Sequence, residues 1–162
     1  MGQANDADDV IAISNLVAES QYLIDSGRWS LLADEVFAAE HDGVVPEADF
    51  GFAVWQGTRA IREGFDASLQ RFEACMHAVT NLYITVDGDR GTARYYVQGW
   101  HWVRTAGPRT STEADFLVLG VMHDDVVRQS GEWRVARRRL SRLGPGVAVG
   151  TLPDFLAGLG ES

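Results

Sequence analysis

Apolar positions recur with a helical period in the first third of the chain and with an alternating period in much of the rest. From Asp6 onward, Val10, Ile13, Leu16, Val17, Tyr22, Leu23 and Ile24 form a broad apolar face, and Asp6, Asp8 and Asp9 suit the first turn of a helix. Gly27 is the expected terminator. A second short helix is predicted over Trp29–Phe37, with Leu31, Leu32, Val36 and Phe37 to bury. Gly43-Val44-Val45-Pro46 and Phe52-Ala53-Val54-Trp55 read as two short strands, a hairpin at a sheet edge where Pro46 is tolerated. A third helix opens at Gly57-Thr58 and runs to about Phe72, with Ile61, Phe65 and Leu69 at one-turn spacing.

The period then shortens. Strands are predicted over His77–Val86, Thr92–Arg104, Asp115–Arg128 and Trp133–Leu143, joined by the turn Asp87–Gly91, a loop over Ala106–Thr112 and the turn Gln129–Glu132. Consecutive strands with short connections make an antiparallel meander. The whole order predicts an α+β fold of one domain over 1–143, with the helices on one face of the sheet. A tail, 144–162, starts at Gly144-Pro145-Gly146 and has room for a short helix around Pro153–Leu159. On the second strand, one face carries Tyr95, Val97, Gly99 and His101, and the other Tyr96, Gln98, Trp100 and Trp102. A sheet covered on one side only should alternate apolar with polar. This strand does not, so its second face is predicted to meet another copy, a homodimer through Trp100 and Trp102.

Composition narrows the function. A chain of 162 residues is long enough for one core and a small ligand cavity. The net charge of −9 argues against nucleic acid and against anionic membrane surfaces. Arg134–Arg142, with five arginines in nine residues, runs the other way and reads as a solvated or salt-bridged terminal strand. Cys75, the single cysteine, cannot form an internal disulfide and suits a reducing cytoplasm. Met1–Asp9 is polar and resembles no leader, and no apolar run is long enough to span a bilayer. A soluble cytoplasmic protein is expected.

Candidate chemistry centres on acids and histidines. Asp25 lies in the last turn of the first helix, beside the negative end of its dipole, which does not favour a charge there. It is either a half-exposed helix-end carboxylate or one aimed into a pocket to hold a histidine. His77 is either a strand-start histidine bonded to backbone or a general base. His101 shares parity with Tyr95, Val97 and Gly99, so it points to a cavity where Gly99 leaves room, or into core. Tyr22, three positions before Asp25, is a hydroxyl donor or a core residue. His123 and Asp125 share a face, yet two ligands are too few for a metal. No nucleophile carries its own activator, and Gly144-Pro145-Gly146 matches no phosphate loop. No cofactor is expected.

Four stretches carry a family resemblance. They are Leu23-Ile24-Asp25-Ser26-Gly27-Arg28-Trp29, Trp55-Gln56-Gly57-Thr58-Arg59-Ala60-Ile61, Met76-His77-Ala78-Val79-Thr80-Asn81, and Val126 to Ala136 with its Gly131-Glu132-Trp133 turn. Together they resemble the nuclear transport factor 2-like superfamily, in its SnoaL-like branch of polyketide cyclases, scytalone dehydratase, bile-acid 7α-dehydratases and hexachlorocyclohexane dehydrochlorinase. The likeness covers about Asp9 to Arg142. It implies a cone-shaped curved sheet packed against three N-terminal helices, with a pocket between them. It implies a catalytic dyad of Asp25 and His77, with His101 as the second pocket histidine and Arg128 as the arginine directed at substrate or leaving group. Met122 stands where relatives often carry a polar residue, and is expected to pack against an apolar substrate. A limonene-epoxide-hydrolase site needs an Asp two positions after its strand arginine, which Arg94-Tyr95-Tyr96 lacks.

The expectation is a cofactor-independent dehydratase, isomerase or cyclase for a small apolar metabolite of polyketide, terpenoid or steroid type. Histidine suits proton abstraction near neutral pH, and a carboxylate on its other nitrogen fixes the tautomer and stabilises the imidazolium. Trp55, Val97, Gly120, Met122 and part of the tail are expected as pocket wall. The alternative is a non-catalytic ligand-binding or complex-assembly domain of the same fold.

Overall fold

Helix α1 spans Ala7–Asp25 and stops where Gly27 takes a φ of 74°. Arg28 N–H donates to Leu23 O at 2.8 Å and Gly27 N–H to Ile24 O at 3.1 Å, the paired bonds that close a helix on a left-handed residue. This stop holds Asp25 as the last helical residue. Ile13, Leu16, Val17 and Leu23 of α1 are buried, each such side chain stabilising by about 1.5–3 kcal/mol when fully removed from water. The structure, a computed structural model, describes residues 7–143. The tail expected at 144–162 lies outside the described residues.

The helix expected over Trp29–Phe37 is a 3₁₀ turn, Trp29–Leu31, running into one π turn, Leu32–Val36. Leu32, Ala33 and Val36 are buried there, so burial rather than regular hydrogen bonding holds this segment. Helix α2, Thr58–Leu69, buries Ile61, Phe65 and Leu69, the residues at one-turn spacing.

Strands β1 (Glu47–Asp49), β2 (Val54–Gln56), β3 (Phe72–Asp87), β4 (Arg90–Val103), β5 (Phe116–Gln129) and β6 (Glu132–Arg142) form one sheet in the order β2-β1-β6-β5-β4-β3. The meander β3–β6 is antiparallel throughout. The hairpin differs from expectation. Its first strand begins after Pro46, which cannot donate to a ladder, and β1 pairs with β6 in parallel, Ala48 opposite Arg138. The first long strand also begins at Phe72, so His77 sits within β3 and not at its start.

Irregularities curve the sheet. Register shifts between Thr80 and Tyr83, where Asn81 has a φ of 55°. It shifts again where β5 runs from Asp125 to Val126 and β6 carries the extra residue Ala136. The helices cover the concave face, where Tyr95, Val97 and His101 are buried, while Tyr96 on the other face is 41% exposed. No helix among the described residues is long and apolar enough to cross a membrane.

Candidate active site

The helix stop at Gly27 delivers Asp25 to β3. Asp25 Oδ2 accepts the backbone N–H of His77 at 2.8 Å, and Oδ1 lies 2.7 Å from His77 Nδ1. A carboxylate only accepts, so Nδ1 carries the proton and Nε2 is left with its lone pair. Two N–H groups compensate a carboxylate placed at the unfavourable end of a helix. Both side chains are largely shielded, 23% and 12% exposed for Asp25 and His77.

Gly99 lies opposite His77 on β4. A Cβ at this position would come within 2.9 Å of His77 Nε2 and Cδ2 and of His101 Cε1, so the absent side chain makes room for both imidazoles. His101 is 7% exposed, stacked on Phe116 at 4.5 Å and tilted against Phe72 at 4.9 Å. It meets His77 edge-on at 5.3 Å. Burial and, after it, the neighbouring His77 push the His101 pKa down to about 3, against a smaller opposing effect from a Gly99 backbone hydrogen bond. His101 is therefore a neutral ring at neutral pH. Its Nδ1 is buried without a hydrogen-bond partner among the described residues.

These groups face a cavity of about 110 Å³ between sheet and helices. His77, His101, Trp55, Val97, Gly99 and Met122 line it; Asp25 acts on it through His77. Three residues expected at the site stand elsewhere. Arg128 donates to Asp9 at 2.6 Å and Asp89 at 3.1 Å and lies over the Trp133 ring at 4.5 Å. Asp9 belongs to the first turns of α1 and Asp25 to its last, about 24 Å apart along the helix axis at 1.5 Å per residue. Tyr22 is 58% exposed and stacks with Arg28 outside the cavity. Gly120 is buried but does not line the cavity; a Cβ there would strike Leu140, which does.

Sequence reading missed the polar floor and the aromatic wall. Arg138, read as part of a solvated or salt-bridged terminal strand, lines the cavity and is 1% exposed. Its Nε and Nη2 donate to Asp124 at 2.8 and 2.7 Å, Nη1 reaches Ser20 Oγ at 3.2 Å, and Tyr95 O–H donates to Asp124 at 3.1 Å. Burial works to lower the Arg138 pKa, but Asp124 and Tyr95 outweigh it, so the guanidinium stays charged. Gln21, one turn before Asp25 on the same helix face, also lines the cavity and donates to Ser20 Oγ at 2.9 Å. Phe50, Phe52 and Phe65 join Trp55 in an aromatic wall. Cys75, beside this site, has its thiol pushed up to about 12 by burial and then by Asp25, which leaves it no nucleophile at neutral pH. Among the described residues no group of three or more His, Cys, Asp or Glu side chains could hold a metal ion.

The order of elements and the curved sheet meet a clear counterpart among known proteins. The SnoaL-like domain matches residues 5–139. The chain belongs to the SnoaL-like family. Its solved relatives share the fold of the nuclear transport factor 2-like group. Rv3472 of Mycobacterium tuberculosis, of unknown function, is 25% identical over 95% of this chain and 91% of its own, with a TM-score of 0.72. A provisional scytalone dehydratase from Novosphingobium aromaticivorans is 21% identical over 84% and 85%, with a TM-score of 0.70. A provisional dehydratase of the NTF2-like family from Streptomyces avermitilis is 16% identical over 85% and 99%, with a TM-score of 0.72. No curated protein matches in sequence. The SnoaL-like domain here thus carries a histidine with a lone pair turned to an apolar cavity, a carboxylate behind it and a neutral second histidine beside it.

Proposed function

We propose that this SnoaL-like domain is a cofactor-independent acid–base enzyme, a dehydratase, isomerase or cyclase, acting on a small, largely apolar substrate of polyketide, terpenoid or steroid type. One observation carries the reading: Asp25 grips both the main chain and Nδ1 of His77, while His77 borders the cavity. A structural histidine needs one bond; this one has its ring orientation and its tautomer set together, which is what a general base requires.

In the proposed step His77 Nε2 removes a proton from carbon next to a carbonyl or a leaving group. Asp25 stabilises the imidazolium that forms. His101, neutral, hydrogen-bonds an oxygen of the substrate, and the imidazolium returns its proton to the leaving hydroxyl or to another carbon. The apolar wall of Val97, Met122 and Trp55 excludes water, which strengthens these interactions. Arg128 has no part in this scheme. The outer face, with Trp100 and Trp102, is proposed to pair with a second copy.

The test is exchange of the α-protons of cyclic ketones such as 2-tetralone in D₂O, followed by proton NMR. The wild type is expected to accelerate exchange over buffer and His77→Ala to abolish the acceleration. A wild type no faster than buffer across a panel of such ketones, or a His77→Ala variant as fast as the wild type, overturns the proposal and favours a ligand-binding domain.

A further inference from the structure

A glycine inside a helix is less stable than alanine and calls for a packing reason. Gly64 stands in the middle of α2. A Cβ there would overlap three atoms of the Trp55 indole, so the indole lies flat against the helix backbone in a seat no other residue allows. Phe65 meets the indole edge-on at 5.1 Å, and Phe50 contacts both rings, at 5.4 and 5.6 Å. Each of these three rings is held by the other two, and all three line the cavity. The result is a rigid aromatic wall whose depth is set by how closely Trp55 sits on Gly64.

A second observation concerns a different part of the lining. His101 packs against Phe72 at 4.9 Å and Phe116 at 4.5 Å, and those two rings meet each other at 5.8 Å, so the three form one cluster. The cavity thus offers a π surface, to which His101 adds its ring.

We propose that Gly64 and Trp55 are specificity-determining residues, and that the site selects flat, unsaturated rings over saturated ones of the same skeleton. This rests on the acid–base reading of the cavity and names its substrate class. Flat rings stack offset or edge-on against an aromatic wall, an attraction that puckered saturated rings lack. An engineered cavity of about 150 Å³ takes one benzene, so the 110 Å³ space encloses about one ring and leaves a second, fused ring at the mouth.

Calorimetric titration with 2-naphthol and decahydro-2-naphthol tests the proposal, since the two share skeleton and hydroxyl and differ in flatness. The wild type is expected to bind 2-naphthol about five-fold more tightly. Gly64→Ala, which lifts the indole from its seat, is expected to lose that preference, as is Trp55→Leu, which serves if the alanine variant does not fold. Equal or tighter binding of the saturated alcohol, binding of neither, or a preference intact in both variants overturns the proposal. His77→Ala separates it from the reading on which it rests: that variant keeps the ring preference whether or not proton exchange depends on His77.

Discussion

Replacing Gly99 by alanine tests how closely the two histidines are confined. The new methyl would stand 2.9 Å from two atoms of His77 and one of His101, where ordinary contact begins at 3.4 Å, so roughly 0.5 Å of relief is needed on each side. His77 has little freedom, because Asp25 holds its ring and its main chain at 2.7 and 2.8 Å. His101 has little either, packed against both Phe72 and Phe116 and 7% exposed. Overpacking of this kind costs about 1–3 kcal/mol. For a domain of this size that lowers Tm by about 2–12 °C. A catalytic group misplaced by about 1 Å loses on the order of 10²-fold in rate, so half that displacement predicts roughly 10-fold slower proton exchange. Scanning calorimetry and the 2-tetralone exchange assay read the two effects on one preparation. A Gly99→Ala protein with Tm within about 1 °C of wild type and exchange within about two-fold refutes the reasoning, for the two rings would then not be confined.

Three further outcomes are expected. Arg138→Met leaves Asp124 buried without its cation and is expected to cost about 3–5 kcal/mol in urea denaturation, most of it restored by the double variant with Asp124→Leu; a single-variant cost below about 1 kcal/mol contradicts this. His101 takes up a proton at its ordinary 6.5 in the unfolded chain but only at about 3 in the folded one, so between these values the unfolded state binds the extra proton and acid favours it. Stability should therefore fall below pH 6.5 by up to about 1.4 kcal/mol per pH unit from this group alone, and His101→Phe should remove that component of the slope. Trp100→Glu with Trp102→Glu should convert a dimer into a folded monomer in light scattering, and a wild type that is already monomeric removes the proposed pairing.

Much of the architecture was legible because local signals and global fold agree. The meander follows from short turns between alternating runs, and the end of α1 from Gly27, whose left-handed backbone could be expected from its place after an apolar helical face. Alternation alone puts Tyr95, Val97, Gly99 and His101 on one face, and the packing of the helices makes that face the inward one. Arg138 shows where this fails. Counting alternately from the buried Trp133 and Val135 puts Arg137 and Arg139 inside and Arg138 outside. The bulge at Ala136 adds one residue and inverts the phase, so Arg138 enters the core opposite Asp124. A bulge of this kind depends on pairing with another strand and has no local sequence mark. Phe50 and Phe52 were obscured differently: Phe50 falls between the two predicted short strands and Phe52 opens the second, and only the partner rings Trp55 and Phe65 give them a wall to complete.

The parallel pairing of β1 with β6 has a temporal consequence. Its partners, Glu47 and Arg137, are bridged by an ion pair of 2.7 Å across a sequence separation of 90 residues, whereas β3 to β6 pair through short turns. Closing so long a loop costs entropy before any contact compensates for it, so local pairings form first. The meander, with His77, Gly99 and His101 already in register, then assembles ahead of the edge that carries Phe50 and Trp55. The same edge, short and attached on one side, is the first part to open in the native state. Amides of Ala48 and Trp55 should exchange with solvent well before those of Val97 and Gly99. The floor that holds His77, Gly99 and His101 is thus complete before the aromatic side of the cavity closes over it.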